Sequence, residues 1–472
     1  MAVDEKQVEE IVRGVVDNLF GSKNSTSLKV VSPGVSSGDG LFDTIKEAIS
    51  AAKDAQKSFE ALGKDIRFKI VENIRKASLA NKERLAKMAV EETKMGRYED
   101  KIVKNEVAAD LSIGPEELEV KSYMSGDMMI SSTGSPFGVV GAINPMTNPT
   151  ACVINTCIVV LSAGNSIVFL PHPAAHNCTI ETFKVIHKAI VDAGGPPNVI
   201  TAARESKIEN VSSVFKSDDI DIISAVGGPG IVRLSMKSGK RVIGAGPGNP
   251  PVIVDDSADI ENAAESIMLG ASFDNNILCN EEKVIICLKS VLDKLLSAFP
   301  KYKTVVLDKG QAEAVVKLVV KEGEIDKNYM GKDLDLILKD AGINVSSDMR
   351  LAVFLTDESN PMVQHEQLMP IVPIVAVNTF DEAVDMACRV EHGFRHSASV
   401  HSKNIDNITK FSQAIKTTGF VVNAGSQAVA VKPVYGGTAW TIAGATGEGY
   451  ATPSTFTRFR KIFINDGMNF SK

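Results

Sequence analysis

Apolar residues along this chain fall into three textures. Between residues 3 and 20, Val8, Ile11, Val12, Val15, Val16 and Leu19 recur at three- and four-residue spacing, with Glu9, Glu10, Arg13 and Asp17 between them. That is the stripe of a short amphipathic helix. Residues 21–40 are rich in Ser, Gly and Lys and read as a flexible linker. From 41 to about 105 the spacing is again helical, with Ile45, Ile49, Ala52 and Ala55 on one stripe. From about 134 to 271 short apolar runs alternate with helical patterns: strands at 166–170, 199–202, 220–226, 241–243 and 251–254, and a helix at 174–192 closed by Gly194, Gly195 and Pro196. Strand-helix alternation predicts a doubly wound parallel sheet. A second α/β pattern runs from about 255 to 425, with strands at 283–288, 371–377, 397–400 and 419–423. The tail, 456–464, reads as a basic-apolar strand available to pair with another subunit. No internal repeat is visible.

Composition narrows the class. A chain of 472 residues suggests two or three domains, and 44% hydrophobic with 23% charged residues is the balance of a globular protein. Apolar runs such as 157–163 and 283–288 stop well short of the roughly 20 residues of a membrane span. A net charge of −7 argues against a nucleic-acid binder, which carries a basic face. It leaves dinucleotides and CoA open, since helix N-termini hold phosphates on acidic proteins. The six cysteines (152, 157, 178, 279, 287 and 388) form no CxxC or Cys/His spacing, so no metal site is expected. Residues 4–10 are polar and acidic rather than a secretory signal. A reduced, cytoplasmic protein is the simplest reading.

One cysteine stands apart. Ser272-Phe-Asp-Asn-Asn-Ile-Leu-Cys279-Asn-Glu-Glu-Lys283 places Cys279 in a polar loop between a small-residue helix and an apolar strand, whereas Cys287 sits inside its apolar run. A thiol of pKa about 8.5 is only a few per cent thiolate at neutral pH, yet the thiolate is a strong nucleophile. The stretch 272–279 resembles the nucleophile loop of the aldehyde dehydrogenase superfamily, in its CoA-acylating branch. Further segments follow in that branch's order: Met95–Lys101, Thr147–Thr150, His172–Ala175, Gly227–Gly230, Gly244–Asp256, Leu368–Val375 and Thr446–Gly449. The resemblance covers roughly residues 40–465.

It implies an aldehyde dehydrogenase-like α/β fold: a Rossmann-type cofactor domain, a second α/β catalytic domain and a small β oligomerisation arm. The implied bounds are 1–20 docking helix, 21–40 linker, 41–254 cofactor domain with an arm segment near 115–135, 255–440 catalytic domain carrying Cys279, and 441–472 C-terminal return and oligomerisation strand. Gly227 and Gly228 follow an apolar strand and open a helix, where a sheet meets a nucleotide, although a tight turn needs glycine regardless. The resemblance places Pro171, His172, Pro173 and Gly246 at the same NAD-binding edge. It puts Glu366, ahead of Leu368-Met-Pro370, on the nicotinamide-side ribose. Asn148 is expected to supply the oxyanion-hole amide with the backbone N–H of Cys279; strict alignment to the hydrolytic branch puts Thr147 there instead. A donor of this kind is worth about 3 kcal/mol of barrier.

The product follows from a departure. Hydrolytic relatives carry a water-activating Glu in the segment that corresponds to Gly244–Pro251, and here that segment has no carboxylate. Water has a pKa near 15.7 and a thiol near 8.5, a gap of roughly 7 units or about 10 kcal/mol of activation. A site without that base is expected to discharge its acyl group to a thiol, coenzyme A. His365 is a candidate base for that thiol, with a packed or solvated histidine as the bland alternative. The N-terminal helix and linker resemble encapsulation peptides of bacterial microcompartments, implying a cytoplasmic enzyme housed in a shell and bound to a shell protein. Propanal is the favoured substrate on resemblance, and a homodimer or homotetramer is expected. A hydrolytic aldehyde dehydrogenase, a non-redox acyltransferase and a non-catalytic scaffold remain as alternatives.

Overall fold

The computed structural model describes residues 38–126, 128–429 and 437–465. The expected N-terminal helix and all of the linker up to residue 37 lie outside these. The first sheet has six parallel strands in the spatial order Leu41–Phe42, Ile200–Ala203, Ser166–Leu170, Val139–Ile143, Ile222–Val226 and Arg241–Ala245. The second has seven: Thr304–Leu307, Leu351–Thr356, Ile371–Val377, Val284–Leu288, Pro251–Val254, Ser397–His401 and Gly419–Val422, again all parallel. Parallel sheets are covered on both faces, so their strands are apolar throughout; Val139–Ile143, Ser166–Leu170 and Val284–Leu288 are buried at every position.

The helices form for local reasons and then bury a stripe. Ile45–Ala61 starts at Thr44, whose hydroxyl accepts from the Glu47 amide while the Glu47 carboxylate accepts from the Thr44 amide, a capping box worth about 1 kcal/mol. Its buried face is Ile45, Ala48, Ile49, Ala52, Ala55, Gln56 and Phe59, the periodicity of a helix lying on a sheet. Pro149–Ser162 is buried all round, so it acts as a core element beneath the first sheet; Asp65–Thr93, Tyr98–Asp110 and His176–Asp192 pack around it. No helix among the described residues is long and apolar enough to cross a membrane.

One placement differs from expectation. The strand Pro251–Val254, read with the cofactor domain, sits inside the second sheet between Val284–Leu288 and Ser397–His401. The change of sheet therefore falls before residue 251 rather than after 254. Hydrophobic alternation marks a strand but not the sheet that recruits it. The tail strand Thr457–Asn465 pairs antiparallel with Met128–Pro136 over nine residue pairs, and Lys121–Ser125 completes the three-stranded sheet on the other side. Its first pairing is thus within the chain. Its outer residues Phe459, Ile462 and Phe463 stay exposed.

Candidate active site

In the first sheet the chain order reverses at Val139–Ile143: successive strands add first on one side and then on the other. A reversal leaves a crevice outside the carboxyl ends of the flanking strands, the usual nucleotide position in such sheets. A cavity of about 540 Å³ opens there. Thr147 and Asn148 line it after the central strand, Pro171, His172 and Pro173 after the next, and Gly227, Gly228 and Gly246 after the two on the other side. Cys279 and Glu366 reach it from the second sheet's side. These are ten of the eleven residues singled out from the sequence. The exception is His365. Its backbone is extended (φ −119°, ψ 147°), so its side chain and that of Glu366 leave on opposite sides. Its Nδ1 lies 3.8 Å from exposed Glu324, and it is not among the crevice's lining residues.

The loop that leads into Cys279 is strained and heavily braced. Asp274, Asn275 and Asn276 all carry positive φ (45°, 59° and 61°), costing of order 1–3 kcal/mol each. Bonds from elsewhere in the chain hold them. The Asp274 carboxylate, fully buried, accepts from Lys101 at 2.9 Å, from Lys104 and from the Arg97 amide at 2.6 Å. Its own amide donates to Asp100 at 2.9 Å, and Arg350 holds Asp100 at 3.0 Å. Asn275 donates to the Gly331 carbonyl at 3.0 Å, and Asn276 to the carbonyls of Ala271 and Glu282. Gly96, at φ +75°, has no Cβ because one would collide with the Asp274 carboxylate.

The same cations reach the 147–148 loop. Lys101 and Lys104 each lie 3.5 Å from the Thr147 carbonyl, so one buried carboxylate ties the 147–148 loop to the nucleophile loop. Asn148 caps the helix Pro149–Ser162 and is buried; its Nδ2 donates to Thr147 Oγ1 at 3.2 Å, while its Oδ1 has no partner. The Nδ2 group carries a second N–H beyond the one given to Thr147, and a donor of that kind is what an oxyanion accepts from.

The electrostatics of the site oppose a resting thiolate. Burial first, then the nearby Glu366 carboxylate, push the Cys279 thiol up to about 12, while Lys283 pulls it down. Glu366 is the one carboxylate among the described residues that line the crevice. Burial raises it to about 7, and its Oε1 accepts the Gly248 amide at 3.2 Å. His396, unremarked in the sequence, is the imidazole the fold delivers. A Cβ built on Gly248 would meet both its ring and the Cys279 carbonyl. Burial lowers it to about 3, so it is neutral; its Nδ1 lies 2.9 Å from Ser397 Oγ, and its Nε2 has no partner. Trp440 also lines the crevice, with the Lys104 ammonium 6.0 Å from its ring centroid. The quoted motifs already held Lys101 and Lys283; Lys104, His396 and Trp440 carried no local signal.

The crevice fits a dinucleotide. Gly228 is the N-cap of the helix Pro229–Met236, whose free amides face the strand ends. Gly246 presents bare backbone: a Cβ there would meet nothing within 4 Å. Burial lowers His172 to about 4, so it contributes shape and hydrogen bonding rather than charge. No group of His, Cys, Asp and Glu suited to a metal occurs among the described residues.

The sequence matches the description Aldehyde dehydrogenase family over residues 36–327 and 346–462. It is 37% identical to an acetaldehyde dehydrogenase (acetylating) of Bilophila wadsworthia, across 99% of each chain. Among solved structures, the propionaldehyde dehydrogenase of the Clostridium phytofermentans fucose utilisation bacterial microcompartment superposes with a TM-score of 0.89 at 40% identity, covering 91% of this chain and 99% of that one. The Rhodopseudomonas palustris propionaldehyde dehydrogenase with bound propionyl-CoA gives 0.88 at 38% identity, covering 90% and 95%.

Proposed function

This chain belongs to the aldehyde dehydrogenase family, and from that premise we propose that it is a CoA-acylating member: it oxidises a short-chain aldehyde, propanal favoured, to acyl-CoA through a thioester on Cys279, reversibly, with NAD. The observation that carries this reading is the convergence of Cys279, the 147–148 loop, Glu366 and the strand-end glycines on one crevice.

Residues 227–228, 246 and 171–173 would hold the dinucleotide, with Glu366 on the nicotinamide-side ribose. Bound there, the nicotinamide supplies the hydride acceptor. Cys279 adds to the aldehyde carbonyl, and the alkoxide is held by the Asn148 side-chain amide and the Cys279 backbone N–H. Loss of hydride leaves the acyl group on Cys279 as a thioester. The CoA thiol then gives its proton to solvent and attacks that carbonyl, and cleavage of the C–S bond to Cys279 releases acyl-CoA and returns the cysteine. Gly246, where a Cβ would meet nothing within 4 Å, would leave room for the thiol's arm. Named relatives act on acetaldehyde or propionaldehyde, one of them from a bacterial microcompartment, which supports a cytoplasmic microcompartment setting for this chain. Docking to a shell protein through residues 1–20 and a homodimer or homotetramer complete the reading.

One observation favours the hydrolytic alternative: Glu366 is a carboxylate near Cys279 that titrates about pH 7, the chemistry of a base for water. One assay separates the two. NADH absorbance is followed with propanal and NAD, with and without CoA, for wild type and Cys279→Ala. CoA-dependent turnover lost in the variant is expected; robust CoA-independent turnover would make the free acid the product.

A further inference from the structure

Lys283 lies four residues beyond Cys279, at the entrance to the strand Val284–Leu288, and is fully buried. Its Nζ donates to the carbonyl oxygens of Asn276 at 2.8 Å and Leu278 at 3.0 Å, and to the side-chain oxygen of Asn276. Three acceptors use three N–H bonds, which only the ammonium form has. A cation is therefore anchored to the peptide that leads directly into Cys279.

Four titratable groups act on its charge. Glu281 and Glu282 come from its own turn, Glu366 from the segment before Ile371–Val377, and Cys279 from the loop itself. His396, at the entrance to Ser397–His401 two strands away, feels its charge, and the charges of Lys104 and Asp274 act on Glu281. Glu281 is fully buried, takes the Leu278 amide at 3.1 Å, and is raised well above the usual carboxylate range by burial. The reaction scheme above gives Lys283 no task, yet a methionine would fill the same space without the cost of burying a charge.

We propose that Lys283 is a positioning residue for the nucleophile: it holds the 276–278 turn that aims Cys279 and keeps a fixed positive charge beneath the sulfur as the thiolate forms. A charge fixed before the reaction needs no reorganisation when the sulfur becomes anionic. The inference rests on Cys279 being the nucleophile, which the Cys279→Ala assay tests separately.

The experiment uses the full chain with Lys283→Met, Lys283→Gln and Lys283→Arg. Iodoacetamide alkylation of Cys279, read by peptide mass, is followed against pH without nicotinamide or CoA, alongside thermal unfolding. Removing the cation raises the thiol pKa, so the neutral variants are expected to alkylate about tenfold more slowly at a given pH, a shift of about one unit, with Lys283→Arg within about twofold of wild type. An unchanged profile in a folded neutral variant would overturn the proposal. So would folding of Lys283→Arg alone, since Lys283 would then serve the fold and not the sulfur.

Discussion

Gly248 packs so closely on Cys279 that a methyl group at position 248 would be driven into the Cys279 carbonyl oxygen, and it would also come within 3.0 Å of the His396 ring. The turn leading into Cys279 is itself held, because Lys283 donates to the carbonyls of Asn276 and Leu278. Gly248→Ala is therefore expected to displace the sulfur and lower kcat by about a hundredfold. Steady-state rates, with thermal unfolding as control, check this; a fully active variant would show that the loop yields.

Glu366→Gln should produce two effects of opposite sense. Without ligands, Cys279 loses a neighbouring anion, so its pKa falls and alkylation quickens, by about tenfold for one unit. At the same time nicotinamide cofactor binding weakens, because one ribose acceptor has become a donor. Slower alkylation in the variant would contradict the placement of Glu366 beside the sulfur.

Glu366 also sets a pH dependence of stability. Its folded-state pKa is raised from 4.5 to about 7, so the folded chain keeps a proton that the unfolded chain releases between those values. Wild-type stability relative to Glu366→Gln should fall as pH rises through that window. Urea unfolding at pH 5 and pH 8 tests the sign.

Asp274→Ala leaves Lys101 and Lys104 buried without their carboxylate. Breaking a buried ion pair by removing one partner costs roughly 3–5 kcal/mol, and the 147–148 loop loses its tie to the nucleophile loop. Chemical denaturation should show the loss, and kcat should fall further than stability alone explains.

Trp440 is the chain's single tryptophan and lines the crevice. Intrinsic emission should therefore change on adding NADH or CoA, with energy transfer to the reduced nicotinamide, and should do so equally in Cys279→Ala. Silent emission on saturation would move the nucleotide out of this crevice.

How much of this was legible beforehand depends on what kind of fact it is. Strands at 166–170, 251–254 and 371–377 were readable to the residue, because buried parallel strands are unbroken apolar runs. The sheet that takes up Pro251–Val254 was not, since partnership is a tertiary property. Cys279 was legible from its polar setting, and the resemblance carried Asn148 and Glu366 to the crevice. His365 was chosen because it neighbours Glu366, and extended backbone sends neighbours apart. His396 could not be found, for a lone histidine gains meaning only where the fold sets it against Gly248. The Lys101–Asp274 pair spans 173 positions, beyond the reach of local pattern.

The three left-handed residues before Cys279 have one more consequence. Their shape is imposed from Gly96, Asp100, Gly331 and Arg350, 174 positions away in the case of Asp100, so damage at those sites would surface as a chemical defect rather than a visibly broken fold. A genetic screen for inactive alleles should accordingly scatter its hits along the whole chain, and its map of essential positions would be far wider than the footprint of the substrate.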